Sequence, residues 1–121
     1  MSHKRMFDLD IEQHRLRPLD AALAHFMAER DGNASPSMLW LTALLSRQLA
    51  DGHLCLDLDA LAEQADEQDW PSSWRNRLRS LDDQRVALMN SPLVADGRDG
   101  HPATAPLVLD GSRLYLRRYW D

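Results

Sequence analysis

The stretch PSMLWLTALLSRQLA, residues 36–50, constrains the fold more than any other part of this chain. Ser35-Pro36 is a helix start signal, an N-cap residue followed by proline at a position that needs no amide hydrogen. Leu39, Trp40, Ala43 and Leu44 then recur at helical spacing, with the stem of Arg47 on the same side, and Leu41 and Leu45 widen the stripe. A helix apolar around so much of its circumference must be covered from several sides. The pattern therefore predicts a central helix to about Ala50, ended by Asp51-Gly52. With 121 residues, a single domain is the expectation. A chain of this size buries roughly two thirds of the surface its unfolded form exposes.

The flanking segments are read against that helix. A short helix is predicted over Phe7 to His14, with Phe7, Ile11 and Leu16 on one side. Pro18 suits the first turn of a second helix, in which Leu19, Ala22, Leu23, Phe26 and Met27 form the apolar stripe and Asp20 complements the helix dipole. Asp31-Gly32-Asn33 stops it. His53 to Leu56 reads as a short strand. Asp57 or Asp59 can cap a further helix with Leu58, Leu61, Ala62 and Ala65 facing inward. Trp70-Pro71 interrupts the pattern, and Ser72 or Ser73 can cap the next helix, where Trp74, Leu78 and Leu81 recur. Val86, Leu88 and Met89 fit either a continued helix or a strand, and an edge strand is expected within Met89 to Leu93. Residues 96–105 hold two glycines and a proline and read as a loop. The closing hairpin, about residues 107–118, is the clearest local signal. Its Asp110-Gly111 pair tolerates the positive φ of a two-residue turn. Leu107 and Leu109 should pair with Leu114 and Leu116, leaving Arg113, Tyr115 and Arg117 on the other face.

The fold class expected is α+β: four or five helices packed together with a small antiparallel sheet that includes the C-terminal hairpin. A winged-helix arrangement is the runner-up. Cys55 is the single cysteine, so there is no disulfide framework, and with no signal-like start a cytoplasmic setting is expected. No run reaches the roughly 20 apolar residues of a membrane span.

The net charge of −5 argues against nonspecific attraction to nucleic acid. Asp51, Asp57, Asp59, Glu63, Asp66, Glu67 and Asp69 form an acidic block without Lys or Arg. Arg75, Arg77 and Arg79 cluster after it, and Arg113, Arg117 and Arg118 cluster at the end. Lys4 is the only lysine. Charge runs are most often solvated faces, but arginine pairs with carboxylates and phosphates and stacks on rings, which suits interfaces.

Catalytic patterns are missing: no phosphate loop, no GxGxxG, no HExxH, no CxxC. The five histidines are scattered. His53 and Cys55 sit two apart, yet a zinc site would need two further ligands. A packed cysteine is the better reading. Asp57 and Asp59 are better explained as caps than as a catalytic pair. Ser46, Asp51 and His53 are the residue types of a triad without a nucleophile elbow. Two segments, Trp70 to Arg79 and Arg113 to Trp120, mix arginine with aromatics. Rings and arginines can bind single-stranded nucleic acid, but Trp, Tyr and Arg are also the enriched residues of protein interfaces. The acidic balance favours a protein partner.

Four segments resemble the amino-terminal region of the RecD family, the alpha subunit of exodeoxyribonuclease V: LRPLD (Leu16 to Asp20), LLS (Leu44 to Ser46), GHLCLDL (Gly52 to Leu58) and DGSRLYLRRYW (Asp110 to Trp120). They hold 26 of the 121 residues, spread from end to end, and residues 64–105 carry no part of the likeness. The resemblance implies a subunit of the RecBCD complex with 5′→3′ DNA helicase activity in double-strand break repair and recombination. It implies that ATP and Mg belong to motor domains downstream, so that this chain ends at the junction before them. It further implies a bacterial, non-catalytic docking domain without a cofactor, binding the RecC-type gamma subunit and through it the RecB-type beta subunit, with DNA reached indirectly. The expected partner contacts are Arg113, Tyr115, Arg117, Arg118, Tyr119 and Trp120, with Arg75 and Arg79 behind them. The alternatives are a single-stranded DNA-binding accessory domain and a small free-standing acidic adaptor. Dimerisation of the isolated fragment through an uncovered interface is a further expectation.

Overall fold

Ser35 accepts a hydrogen bond on Oγ from the Met38 amide at 3.1 Å, and Pro36 opens the helix α3 (Pro36–Ala50). In the computed structural model, which describes residues 5–120 except for the side chains of 119 and 120, α3 is buried on nearly every side, from Met38 through Ser46 and again at Gln48. It is the central helix its sequence predicts. Around it lie α1 (Asp8–Glu12), α2 (Pro18–Arg30), α4 (Leu61–Glu67), α5 (Ser72–Leu78) and α6 (Leu81–Met89). Six helices of five residues or more are thus described, against four or five expected, because residues 61–89 break into three short pieces. A 3-10 turn (Leu58–Ala60) leads into α4, and the helical turn α7 (Arg117–Trp120) follows the last strand.

The sheet comprises β1 (Leu56–Asp57), β2 (Val94–Asp96), β3 (Leu107–Asp110) and β4 (Arg113–Leu116) in the order β1-β4-β3-β2. Leu107 pairs with Leu116 and Leu109 with Leu114, as the alternation predicts. β1 also pairs antiparallel with β4, but β2 runs parallel to β3, so the sheet is mixed rather than antiparallel. The parallel pair arises because residues 97–106 return the chain to the starting end of the sheet before β3 begins. Gly97 permits the crossing: a Cβ there would lie 2.6 Å from the Asp110 Cβ.

One face of the sheet presents Leu107, Leu109 and Leu114 to the helices, where they join Leu41, Leu45, Leu88 and Leu93 in the main core. The other face buries Ala95 and Val108 beneath Ala105, with Tyr115 packed alongside. Trp40, Trp70 and Trp74 meet edge to face with centroids 5.1–6.4 Å apart, a geometry that suits the ring quadrupoles.

Several local expectations shift. The strand expected over His53 to Leu56 is confined to Leu56–Asp57. The Gly52 turn (φ +97°) is followed by an irregular stretch that leaves Leu54 70% exposed, so His53 and Cys55 do not share a strand face. Asp57 does cap the following turn, accepting from the Asp59 amide at 3.0 Å. Ala62, however, is exposed while Leu58, Leu61 and Ala65 are buried. Pro71, not Ser72 or Ser73, occupies the cap position of α5, and no side chain caps it. Residues through Met89 stay helical, and the strand comes later at Val94–Asp96, because Ser91 and Pro92 turn the chain first. The tip of the hairpin is Gly111-Ser112, one residue later than predicted. Asp110 pairs with Arg113, and Gly111 carries the positive φ of +60°.

Candidate docking groove

The most consequential difference from the sequence pattern lies in α2. The stripe Leu19, Ala22, Leu23, Phe26, Met27 was the expected inner face, but Leu19 is 64% and Phe26 42% exposed, and Ala22 is exposed too. The helix instead turns Asp20, Ala21, Ala24 and Met27 inward, against α3. Small side chains let the two helix axes approach closely. Asp20 can be enclosed because each of its oxygens is served. Oδ2 accepts from the Arg17 amide at 2.8 Å, and Oδ1 accepts from Arg17 Nη2 at 2.8 Å and from Ser46 Oγ at 2.6 Å. A buried carboxylate is tolerated when paired and fully hydrogen-bonded. Burial pushes the Asp20 carboxyl up, yet the hydrogen bonds from Arg17 and Ser46 and the Arg17 charge outweigh it and hold the group below its ordinary range.

That orientation leaves Leu19, half-buried Leu23 and Phe26 on the outside. Leu49 and Ala50 from the end of α3, Pro106, Leu116 from β4, and Arg117 and Arg118 from α7 enclose the space beside them, a groove of about 650 Å³. The charged side chains lining it are Arg17, Arg117 and Arg118. Arg30 continues the same edge, its guanidinium 4.4 Å from the centre of the Phe26 ring. Arg117 is held in place by carbonyls: Nε donates to Ala105 at 3.1 Å, and Nη2 donates to Pro102 at 2.9 Å and Gly100 at 3.2 Å. The same contacts bind the 97–106 loop over the outer face of the sheet.

The other residues expected at an interface are distributed. Arg75 clasps the end of α4, donating from Nε to the Trp70 carbonyl at 2.9 Å and from Nη2 to the Ala65 carbonyl at 2.8 Å, with Asp66 paired at 2.8 Å. Arg79 is exposed just past α5. Arg113 is exposed on β4, where a hydrogen bond with the Tyr115 side chain raises its already high pKa. Tyr115 is half-buried on the outer sheet face. The side chains of Tyr119 and Trp120 lie outside the described residues. Thus Arg117 and Arg118 share the groove, while Arg75, Arg79, Arg113 and Tyr115 do not line it.

A second cleft of about 400 Å³ lies between α3 and the 68–71 turn, with His14, Arg15, Arg47, His53, Trp70 and Trp74 among its walls. Its arginines are neutralised, Arg15 by Asp10 at 3.2 Å and Arg47 by Asp51 at 3.4 Å. The residue types of a triad do not assemble there, since Ser46 donates its hydroxyl hydrogen to Asp20. Among the described residues no group of three His, Cys, Asp or Glu is arranged to hold a metal ion, and no helix is long and apolar enough to cross a membrane.

Sequence reasoning missed Leu19, Leu23 and Phe26 as surface residues. A signal was available: α2 carries two apolar stripes, one large and one small, and Asp20 falls on the small one. A charged residue on the small stripe pointed away from the correct choice, because its partner Ser46 is 26 positions distant.

These features define a small α+β domain, a helical layer on a mixed four-stranded sheet, whose surface carries an apolar groove edged by arginine. The chain belongs to the family described as "RecBCD enzyme subunit RecD, N-terminal domain", which it matches over residues 12–115. That range includes residues 64–105 and the α2 and α3 walls of the groove, and stops before Leu116. A search of curated proteins found no match.

Proposed function

We propose that this chain is the non-catalytic docking domain of a RecD helicase subunit, and that it anchors the motor to the RecC-type gamma subunit in double-strand break repair. Family membership supports the setting. The observation that carries the docking role is the row of large apolar side chains, Leu19, Leu23 and Phe26, turned outward beside Arg117 and Arg118. Soluble chains bury such residues when they can, and contiguous exposed apolar patches mark interaction sites. On this reading ATP and Mg act in motor domains that follow, the RecB-type subunit is reached through RecC, and the assembly works in the bacterial cytoplasm.

The test is a titration of this 121-residue chain against purified RecC-type subunit at two salt concentrations. Saturable binding is expected. A folded chain that does not bind refutes the docking role, and ATP turnover by a clean preparation refutes its non-catalytic character. Single-stranded DNA binding is the weaker reading, because Trp70 and Trp74 are buried against Trp40 instead of offering open ring faces to bases.

A further inference from the structure

We propose that the α2 groove receives an amphipathic, acidic segment of the gamma subunit, one that sets apolar side chains between Leu19, Leu23, Phe26 and Leu49 and places carboxylates against the arginine edge. This rests on the docking role proposed above and specifies its surface and the chemistry of its ligand.

Three observations carry it. Leu19, Leu23 and Phe26 follow each other at i, i+4 and i+7, so they form a single line about 10 Å long. Such a line matches two turns of a partner helix or a short extended segment, the scale on which helix-in-groove recognition operates. The groove is also already built: Arg117 is fixed by three backbone carbonyls and Asp20 locks the rotation of α2. Little ordering is then needed on binding. Finally, among the described residues the charged side chains lining the groove are all arginine, in a chain whose net charge is −5. Asp20 is enclosed and paired inward with Arg17 and Ser46, and Asp51, which also acts on Arg17, is paired with Arg47. A basic segment would meet Arg117 and Arg118 at this edge, whereas an acidic one finds complementary charge, which governs partner choice and association rate. A nucleic-acid strand would need ring faces on the groove floor, and the one aromatic ring among the described lining residues, Phe26, is covered by Arg30.

The experiment measures binding of the 121-residue chain to purified gamma subunit with the wild type, with the Leu19→Ser/Phe26→Ala double variant, and with Arg118→Glu. Both apolar positions are exposed, and urea unfolding of each variant confirms that it is folded. Hydrogen exchange on the wild-type complex gives a second readout that needs no variant. The double variant should weaken binding by about 30-fold, the loss expected of a hot spot. Arg118→Glu should weaken it about tenfold and flatten its salt dependence, and residues 17–27 and 114–118 should gain protection in the complex. Wild-type binding that the double variant leaves within twofold, with no protection of those segments, overturns this inference and leaves the docking role standing. No wild-type binding by folded protein overturns both. A wild-type chain that dimerises, with a double variant that does not, makes a second copy the occupant and also overturns it.

Discussion

Replacing Asp20 with alanine tests the feature on which the orientation of α2 depends. Its carboxylate is fully enclosed and accepts from the Arg17 amide, the Arg17 guanidinium and the Ser46 hydroxyl. Alanine removes the carboxylate that accepts from the Arg17 amide at the start of α2, a loss of about 1 kcal/mol. It also strands the buried Ser46 hydroxyl, at about 1–2 kcal/mol. The Arg17 side chain is 38% exposed and can turn to water, so the ion pair itself adds little. The expected loss is about 2–3 kcal/mol, which lowers the urea midpoint by about 1–1.5 M at a slope near 2 kcal/mol/M. Adding Ser46→Ala to Asp20→Ala should cost little more, because the stranded hydroxyl goes with it. The pH dependence has a definite sign. A carboxyl held below its unfolded value contributes stability that is fully present above the unfolded range, about pH 4. That contribution is lost as pH falls through the lower, folded value. The stability difference between wild type and Asp20→Asn should therefore be constant above about pH 5 and shrink below about pH 4. An Asp20→Ala midpoint within about 0.2 M of wild type would refute the reasoning, since a slope near 2 kcal/mol/M makes that less than about 0.5 kcal/mol.

Three further outcomes are expected. Gly97→Ala should destabilise by about 1–3 kcal/mol in urea, because its Cβ would meet Asp110 at 2.6 Å and the crossover to the parallel strand cannot relax without moving β3. Arg75→Ala should cost about 1–2 kcal/mol through the carbonyls of Ala65 and Trp70 that it satisfies, with affinity for the gamma subunit unchanged because Arg75 does not line the groove. Arg117→Ala should speed amide exchange at the Gly97 and Asp96 hydrogen bonds to Leu109 and His101 far more than in α3, because it releases the loop from its carbonyl clasp.

Much of this domain is determined by local sequence. Ser35-Pro36, the apolar circumference of residues 36–50 and the glycine after Asp51 specify α3 without help from the rest of the chain. Leu107, Leu109, Leu114 and Leu116 alternate with period two, which sets both the hairpin register and its inward face. The general α+β architecture follows from such short-range patterns, because caps, turns and periodicity act within a few residues. Quoted segments alone also carried the resemblance to RecD, although the family match proved to extend across residues 64–105 as well.

Tertiary structure decided what no window of sequence contains. Whether β2 runs parallel or antiparallel depends on how the 97–106 loop crosses the sheet, and that in turn on Gly97 beside Asp110 and on Arg117 reaching back to Gly100, Pro102 and Ala105. The rotation of α2 was settled the same way. Two apolar stripes were available, and the smaller one won because it packs closely on α3 and because Ser46 on that helix completes the shell of a buried Asp20. Leu19 and Phe26 were thereby left exposed and Leu23 half-buried, and the groove exists because the packing of Ala21, Ala24 and Met27 on α3 and a polar contact 26 residues away in the chain together set the rotation of the helix.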